Sequence, residues 1–368
     1  VIAELAALIA ELGCRRPVVV ADAEVAGMPS VAAAVGSFPL VRRPTGEPTV
    51  EQVEAVRSEV EPHHPDLLVA IGGGSTLDTA KAVRAVLGRD VAFADVLSGA
   101  APVHADAIRL VTVPTTSGTG SEVSGGCVMA DARSGRKSGV ASPLLRATAA
   151  LVDPLLTLGL PPAVTAATGA DALAQAIGAV TVRNGSPLSA ALGLEACRLA
   201  AGALAASVRD GGDRSARAGM SLASLTAGLA MNLSDCGADH ALGHASAAVL
   251  HLPHGLAVGI TLAAALDVTR RTAPGPLERV ADALGEPAGG PADGSRAVAA
   301  VTRLLAAAGL PTAAEAGMRM DHVDALTPLA LADYCLSVDA HAWTAEDVRT
   351  AYTAAVTGGG CTPETPSR

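Results

Sequence analysis

Of the four histidines in the segment HALGHASAAVLHLPHG, three draw attention: His240, His244 and His254. An aspartate, Asp171, lies in an earlier segment, GADALAQAI. Imidazole titrates near neutral pH and is also a common ligand for divalent metals, so this set of residue types offers proton transfer, metal binding, or both. His240 and His244 are four apart on a predicted helix and therefore share a face, while His254 sits in a Pro-His-Gly turn ten residues further on. An aspartate and imidazoles from separate helices can converge on one cation inside a helical bundle. His251, two places before Pro253, reads as a packing or surface residue.

A second chemistry is written in two glycine-rich loops. In IGGGSTLDTAK a predicted buried strand runs into Gly72, Gly73 and Gly74 and then opens a helix, an arrangement that points amide N–H groups at an anion. The glycines are expected to allow positive φ and close approach of the backbone to a pyrophosphate. The segment is neither a Walker loop, lacking GK[ST], nor a strict GxGxxG. The second loop, VPTTSGTGSE, again follows a strand: Thr115, Thr116 and Ser121 can donate to phosphate or ribose oxygens, and Gly118 and Gly120 let it lie against a flat ring. Either loop alone also fits a ligand-free turn. Two of them after successive strands of one sheet converge on its carboxyl edge, where α/β folds bind nucleotides.

The elements that must hold these residues follow from periodicity. PVVVA from Pro17, DLLVAI from Asp66 and RLVTV from Arg109 read as buried strands. Between them lie two helical patterns, TVEQVEAVRSEV with a capping Thr49 and TLDTAKAVRAVL. After LVDPLLTLGLPP, long Ala- and Leu-rich helical patterns take over, which places a boundary near Asp153 to Pro162. The expected organisation is an α/β domain with a parallel sheet over 1–155, an all-α domain over 156–358 and a disordered tail over 359–368. The breaker-rich GEPAGGPADGS from Gly285 reads as a surface connection.

With 368 residues the chain is long enough for two cores. The formal net charge of −10, with no clustered Lys or Arg, argues for small-molecule partners rather than nucleic acid. Six scattered cysteines (Cys14, Cys127, Cys197, Cys236, Cys335 and Cys361) form no CxxC pair, so neither a disulfide framework nor a cysteine zinc site is indicated and a reducing cytoplasm is expected. The most apolar stretch, Gly255 to Leu266, is short for a membrane span, so no membrane association is expected. The chain starts at Val1 without a basic segment or cleavage motif, which reads as an incomplete start rather than a signal peptide.

Taken together, GGGSTLDTAK, PTTSGTGSE, LVDP, TGADALAQAI and HALGHASAAVLHLPHG resemble, in order and over nearly the whole chain, the iron-containing (group III) alcohol dehydrogenase family. The resemblance implies a dehydroquinate synthase-like architecture: an N-terminal dinucleotide domain, a C-terminal helical domain, and a cleft holding nicotinamide beside a divalent metal. It implies Asp22 on the adenosine ribose, favouring NAD over NADP. Gly73, Gly74, Ser75 and Asp78 match the pyrophosphate loop, Thr115 and Thr116 the second cofactor loop, and Lys137 a lysine near the cofactor. Asp171, His240 and His254 match metal ligands, with Fe²⁺ the expected ion, and His244 matches the histidine beside nicotinamide and substrate. A homodimer is also implied.

Two departures bear on the metal. The family's fourth ligand, a histidine, is Gln175 here, and the glutamate that closes the same motif is Gly178. A neutral amide oxygen is a weaker ligand, which favours Fe²⁺, Mn²⁺ or Mg²⁺ over zinc. At the adenosine end, Glu47-Pro48 replaces the common Asn-Pro. The expected reaction interconverts an alcohol with an aldehyde or ketone by hydride transfer, a metal polarising the substrate oxygen and His244 relaying the proton. Competing readings are a metal-independent reductase of an oxo or unsaturated acid, like maleylacetate reductases, a non-catalytic nucleotide-binding relative, and more remotely a carbocycle-forming lyase.

Overall fold

The computed structural model describes residues 1–104, 108–130 and 137–359. The chain divides into two compact units, Val1–Thr157 and Leu158–Arg368. The first contains strands β1 (Pro17–Asp22), β2 (Leu40–Arg43), β3 (Leu67–Gly72), β4 (Arg109–Pro114), β5 (Gly126–Ala130), β6 (Lys137–Ala141) and β7 (Ala149–Ala150). Its helices are α1 (Leu5–Glu11), α2 (Ala23–Ala26), α3 (Pro29–Val35), α4 (Val50–Val60), α5 (Gly74–Val86) and α6 (Phe93–Leu97). The main sheet runs β2-β1-β3-β4-β7 and all its pairs are parallel, whereas β5 and β6 form a separate antiparallel hairpin.

Alternation along the central strands feeds two cores. Val18, Val20, Leu68, Ala70 and Leu110 face one side with α4 and α5; Val19, Ala21, Leu67, Val69, Ile71, Val111 and Val113 face the other with α1 and α3. A sheet covered on both faces needs continuous apolar strands, which is why these runs are legible in the sequence. Thr49 caps α4 as expected, its hydroxyl accepting from Gln52 N–H at 3.3 Å. The periodicity did not mark β2, whose LVRR carries two arginines, the β5–β6 hairpin, or the two-residue β7. The order of the strands makes the β1–β3 edge a topological switch point, so Asp22 and Gly72 both end strands where α/β sheets take ligands.

The second unit is all-helical: α7 (Pro162–Thr181), α8 (Pro187–Arg209), α9 (Arg214–Asn232), α10 (Ala238–Leu250), α11 (His254–Thr269), α12 (Pro274–Ala283), α13 (Ser295–Ala307), α14 (Val323–Leu331), α15 (Tyr334–Val338) and α16 (Ala345–Thr357). One core gathers α7, α8, α9, α11, α12 and α13, and another gathers α10, α11, α14 and α16. Against the expectation drawn from Gly255 to Leu266, α7 and α8 are long and apolar enough to cross a membrane by length and composition alone. Polar residues interrupt each apolar run, so neither is uninterrupted, but its mean hydropathy stays high enough for a span. For α7, 78% of the apolar window is buried inside the unit, so core packing accounts for it; for α8 the figure is 39%. The free thiols are Cys14, Cys127, Cys197, Cys236 and Cys335 among the described residues; Cys361 and nearly all of the expected tail lie outside them.

Candidate active site

The histidine cluster is set by close helix contacts that only glycine permits. A Cβ on Gly243, between His240 and His244 and directly before the latter, would stand 2.6 Å from Val258 Cγ2 and 2.8 Å from its Cα. One on Gly255, beside His254, would stand 2.4 Å from the Ala167 carbonyl oxygen of α7. The first glycine lets α11 lie against α10; the second seats the start of α11 one helical turn before Asp171. As a result the three imidazole rings form a triangle, with centroids 5.9 Å apart for His240 and His244, 5.7 Å for His240 and His254, and 5.3 Å for His244 and His254.

Asp171, His240 and His254 offer ligand atoms that all lie within 4.8 Å of one another. His240 Nε2 is 3.3 Å and His254 Nε2 3.4 Å from Asp171 Oδ1, yet that oxygen, fully buried, has no hydrogen-bond partner among the described residues. Gln175 Oε1, one turn along α7, is likewise buried without a partner. Ligands at about 2.1 Å from a shared ion stand at such separations, and buried polar oxygens left unpaired are otherwise costly. Two imidazoles and a carboxylate therefore fit a divalent cation. Gly178 has a packing reason: a Cβ there would meet Gly237 N at 3.1 Å and Cys236 Cα at 3.4 Å, so the backbone before α10 occupies the space a glutamate would need.

Around the ligands, a carboxylate orients each of two rings. His240 Nδ1 donates to Asp239 Oδ2 at 2.6 Å, which turns Nε2 toward Asp171. His244 Nδ1 donates to Asp333 Oδ2 at 2.8 Å. Burial disfavours a charged His240, but Cys236, Asp239 and Asp171 outweigh it and raise its pKa well above the usual imidazole value. Burial likewise opposes ionisation of Asp171, and His254 and His240 overcome it, holding the carboxyl well below its usual range. For His244, burial, helped by His254 and His240, prevails over Asp333 and lowers the pKa, so the ring is neutral at pH 7 and able to accept a proton. Neither Asp239 nor Asp333 stands out in the sequence. Asp239 is readable only as an acidic neighbour of His240, and Asp333 lies 89 residues from its partner. His251 is an exposed left-handed cap of α10, in keeping with a surface role.

In the first unit, the glycine loop departs from expectation in one respect: Gly72, Gly73 and Gly74 are not in positive φ. Space, not conformation, requires them. A Cβ on Gly72 would stand 2.5 Å from Thr76 Oγ1 and one on Gly74 2.6 Å from Thr119 Cγ2, whereas one on Gly73 would meet Thr116 Cγ2 at 3.3 Å. The two loops thus interlock, and Thr115 N–H donates to Gly72 O at 3.0 Å. Gly73 caps α5 without a side-chain acceptor, which leaves first-turn N–H groups, Ser75 among them, for an anion.

Other residues of the cofactor set are partly committed to the protein itself. Asp78 accepts from Ser121 Oγ at 2.6 Å and from Val128 N–H at 2.9 Å, so it braces the second loop. The fully buried Lys81 joins this brace, donating to Ser121 Oγ, Ser124 Oγ and Gly126 O at 2.8, 3.0 and 2.7 Å. Asp22 caps α2 by accepting from Val25 N–H at 2.9 Å through Oδ1. Thr115 is buried and Thr116 part-exposed at the end of β4. Lys137 opens β6, and its side chain lies outside the described residues.

Comparison with known proteins finds relatives over most of the chain. Residues 1–154 match the family model described as iron-containing alcohol dehydrogenase, and residues 165–356 match its C-terminal counterpart. The chain is 36% identical over 316 residues to a Salmonella typhimurium protein named "Probable alcohol dehydrogenase EutG", covering 85% of this chain and 78% of that one. It is 32% identical over 313 residues to lactaldehyde reductase of Escherichia coli, covering 82% and 80%. Among solved structures, a 1,3-propanediol oxidoreductase superposes with a TM-score of 0.90 at 26% identity, covering 96% of this chain and 95% of the other. The chain belongs to the iron-containing alcohol dehydrogenase family.

Proposed function

We infer that this chain is an NAD-dependent oxidoreductase that interconverts an alcohol with an aldehyde or ketone, using a divalent metal held by Asp171, His240 and His254 with Gln175 Oε1 completing the set. The observation that carries the reading is the buried, unpartnered Asp171 oxygen within reach of two imidazoles, with a second unpartnered oxygen, that of Gln175, one turn along the same helix. When bound, the ion, Fe²⁺ by family, supplies Lewis acidity toward the substrate oxygen and the dinucleotide supplies or takes the hydride.

The protein's own residues do the rest. Asp239 holds His240 with Nε2 toward the ligand set. His244, neutral at pH 7, exchanges the alcohol proton at Nε2. Gly73, Gly74 and Ser75 at the start of α5 take the pyrophosphate, with Thr115 and Thr116 beside it, Asp78 bracing that loop and Lys137 near the cofactor. Asp22 Oδ2 accepts from the ribose 2′-OH and repels a 2′-phosphate. The relatives named for alcohols and small aldehydes support such substrates here. Cytoplasmic residence and the absence of nucleic-acid partners belong to the same reading, supported by the free thiols and the net charge; homodimer formation rests on the family resemblance, and the absence of a membrane partner on the burial of α7 within its unit.

The test is a panel of alcohols and aldehydes with NAD(H) and NADP(H), run after chelation and again after reconstitution with Fe²⁺, Mn²⁺, Mg²⁺ or Zn²⁺. Turnover restored by metal supports the reading. Full turnover without metal would favour the oxo-acid reductase, and dinucleotide binding without any turnover the non-catalytic relative.

A further inference from the structure

We propose that Asp333 is the positioning residue that sets the tautomer of His244, an inference that rests on His244 being the proton-exchanging group. A carboxylate only accepts, so the 2.8 Å contact requires the proton on Nδ1 and leaves Nε2 of the neutral ring as the basic nitrogen. Nε2 has no protein partner among the described residues, whereas Nδ1 is fully used. His244 stacks on His254 with 27° between the ring planes, which fixes its tilt; Asp333 fixes its rotation.

Asp333 is itself held on both oxygens. It caps α15, with Oδ1 accepting from Cys335 N–H at 2.9 Å while Oδ2 takes His244. α15 packs against α10, so the cap ties a distant turn of chain to the helix that carries His240 and His244. This double use makes the substitution Asp333→Asn diagnostic. Asparagine caps helices as well as aspartate does, so its oxygen keeps Cys335 N–H and the fold is retained. Its NH₂ then faces Nδ1, which must become an acceptor, and the proton moves to Nε2.

The holoenzyme is compared with Asp333→Asn, Asp333→Glu and His244→Ala by steady-state kinetics, metal content and histidine-selective nitrogen NMR on the diamagnetic Zn²⁺-loaded form. For Asp333→Asn we expect kcat to fall by about a hundredfold or more, as wrong-tautomer variants of other triads do, with KM and metal content changed less than about threefold. The His244 signals should switch from the Nδ1–H to the Nε2–H pattern, and Asp333→Glu should recover part of kcat. A fully active Asp333→Asn, or an unchanged tautomer, overturns the positioning role if His244→Ala is inactive. A fully active His244→Ala instead overturns the proton-exchange reading on which it rests.

Discussion

Asp171 is buried and ionised, and in the absence of an ion only two imidazoles offset that charge. Replacing Gln175 with histidine adds a stronger ligand on the same face of α7, so Gln175→His should bind divalent metal more tightly and resist chelators longer. His240→Ala should lose metal and turnover together, whereas His244→Ala should keep metal and slow turnover. Metal content by plasma emission alongside kcat separates these outcomes, and equal metal loss in both would refute the division of labour. The raised pKa of His240 adds a pH dependence with a definite sign. Metal uptake expels a proton that the empty site holds above the ordinary value of 6.5, so affinity climbs with pH by about tenfold per unit for each proton released. Titration calorimetry in buffers of different ionisation enthalpy counts those protons, and a pH-independent affinity would contradict the assignment. Asp22→Gly should relax the NAD preference, since a hydrogen bond to a charged group is worth about 1.5–3 kcal/mol while glycine replaces the cap of α2 at little cost. Tighter use of NADP(H) than NAD(H) by the parent would contradict the role given to Asp22.

Helix ends and helix crossings carry the next set of consequences. Gly255→Ala places a Cβ against a backbone carbonyl that cannot rotate away, so the start of α11 must move off α7 and take His254 with it. Overpacking of this kind costs about 1–3 kcal/mol. The expected result is a protein that still binds dinucleotide but has lost most of its metal; wild-type metal content would show that the crossing tolerates the extra atom. The glycine loop should divide in the same way. At Gly73 the nearest obstacle is the tip of a threonine side chain, so Gly73→Ala should fold and lose dinucleotide affinity, while Gly74→Val should also destabilise the unit by forcing Thr119 out of its seat. Fluorescence titration with NADH and a thermal melt distinguish the two.

Each of the two units has its own core and its own ligand residues: the cofactor loops lie in Val1–Thr157 and the metal cluster in Leu158–Arg368. Ligand binding stabilises what it touches by about 2.7 kcal/mol at a hundredfold excess over Kd. Hydrogen exchange should therefore show metal slowing α7, α10 and α11, and NAD slowing the start of α5 and the loop after β4. Protection by metal confined to the sheet would refute the placement of its site.

What could be read from sequence alone was whatever is local or periodic. The apolar runs of β1, β3 and β4, the cap at Thr49, the glycine and threonine loops and the i, i+4 histidines each lie within one element, so spacing reveals them. Residue type already set Asp171 beside the histidines as a possible ligand, and the family motifs, whose order along the chain is itself a signal, gave it that role. Tertiary structure alone decided the partners. Asp333 meets His244 across 89 residues, Asp78 braces a loop 43 residues away, and Gly243 and Gly255 matter because of the backbone lying opposite them. Tertiary structure also replaced positive φ by lack of space as the reason for Gly72 and Gly74. These contacts depend on which helices cross and how closely, and a hydrogen bond or a steric gap between distant segments leaves no periodic trace in either one.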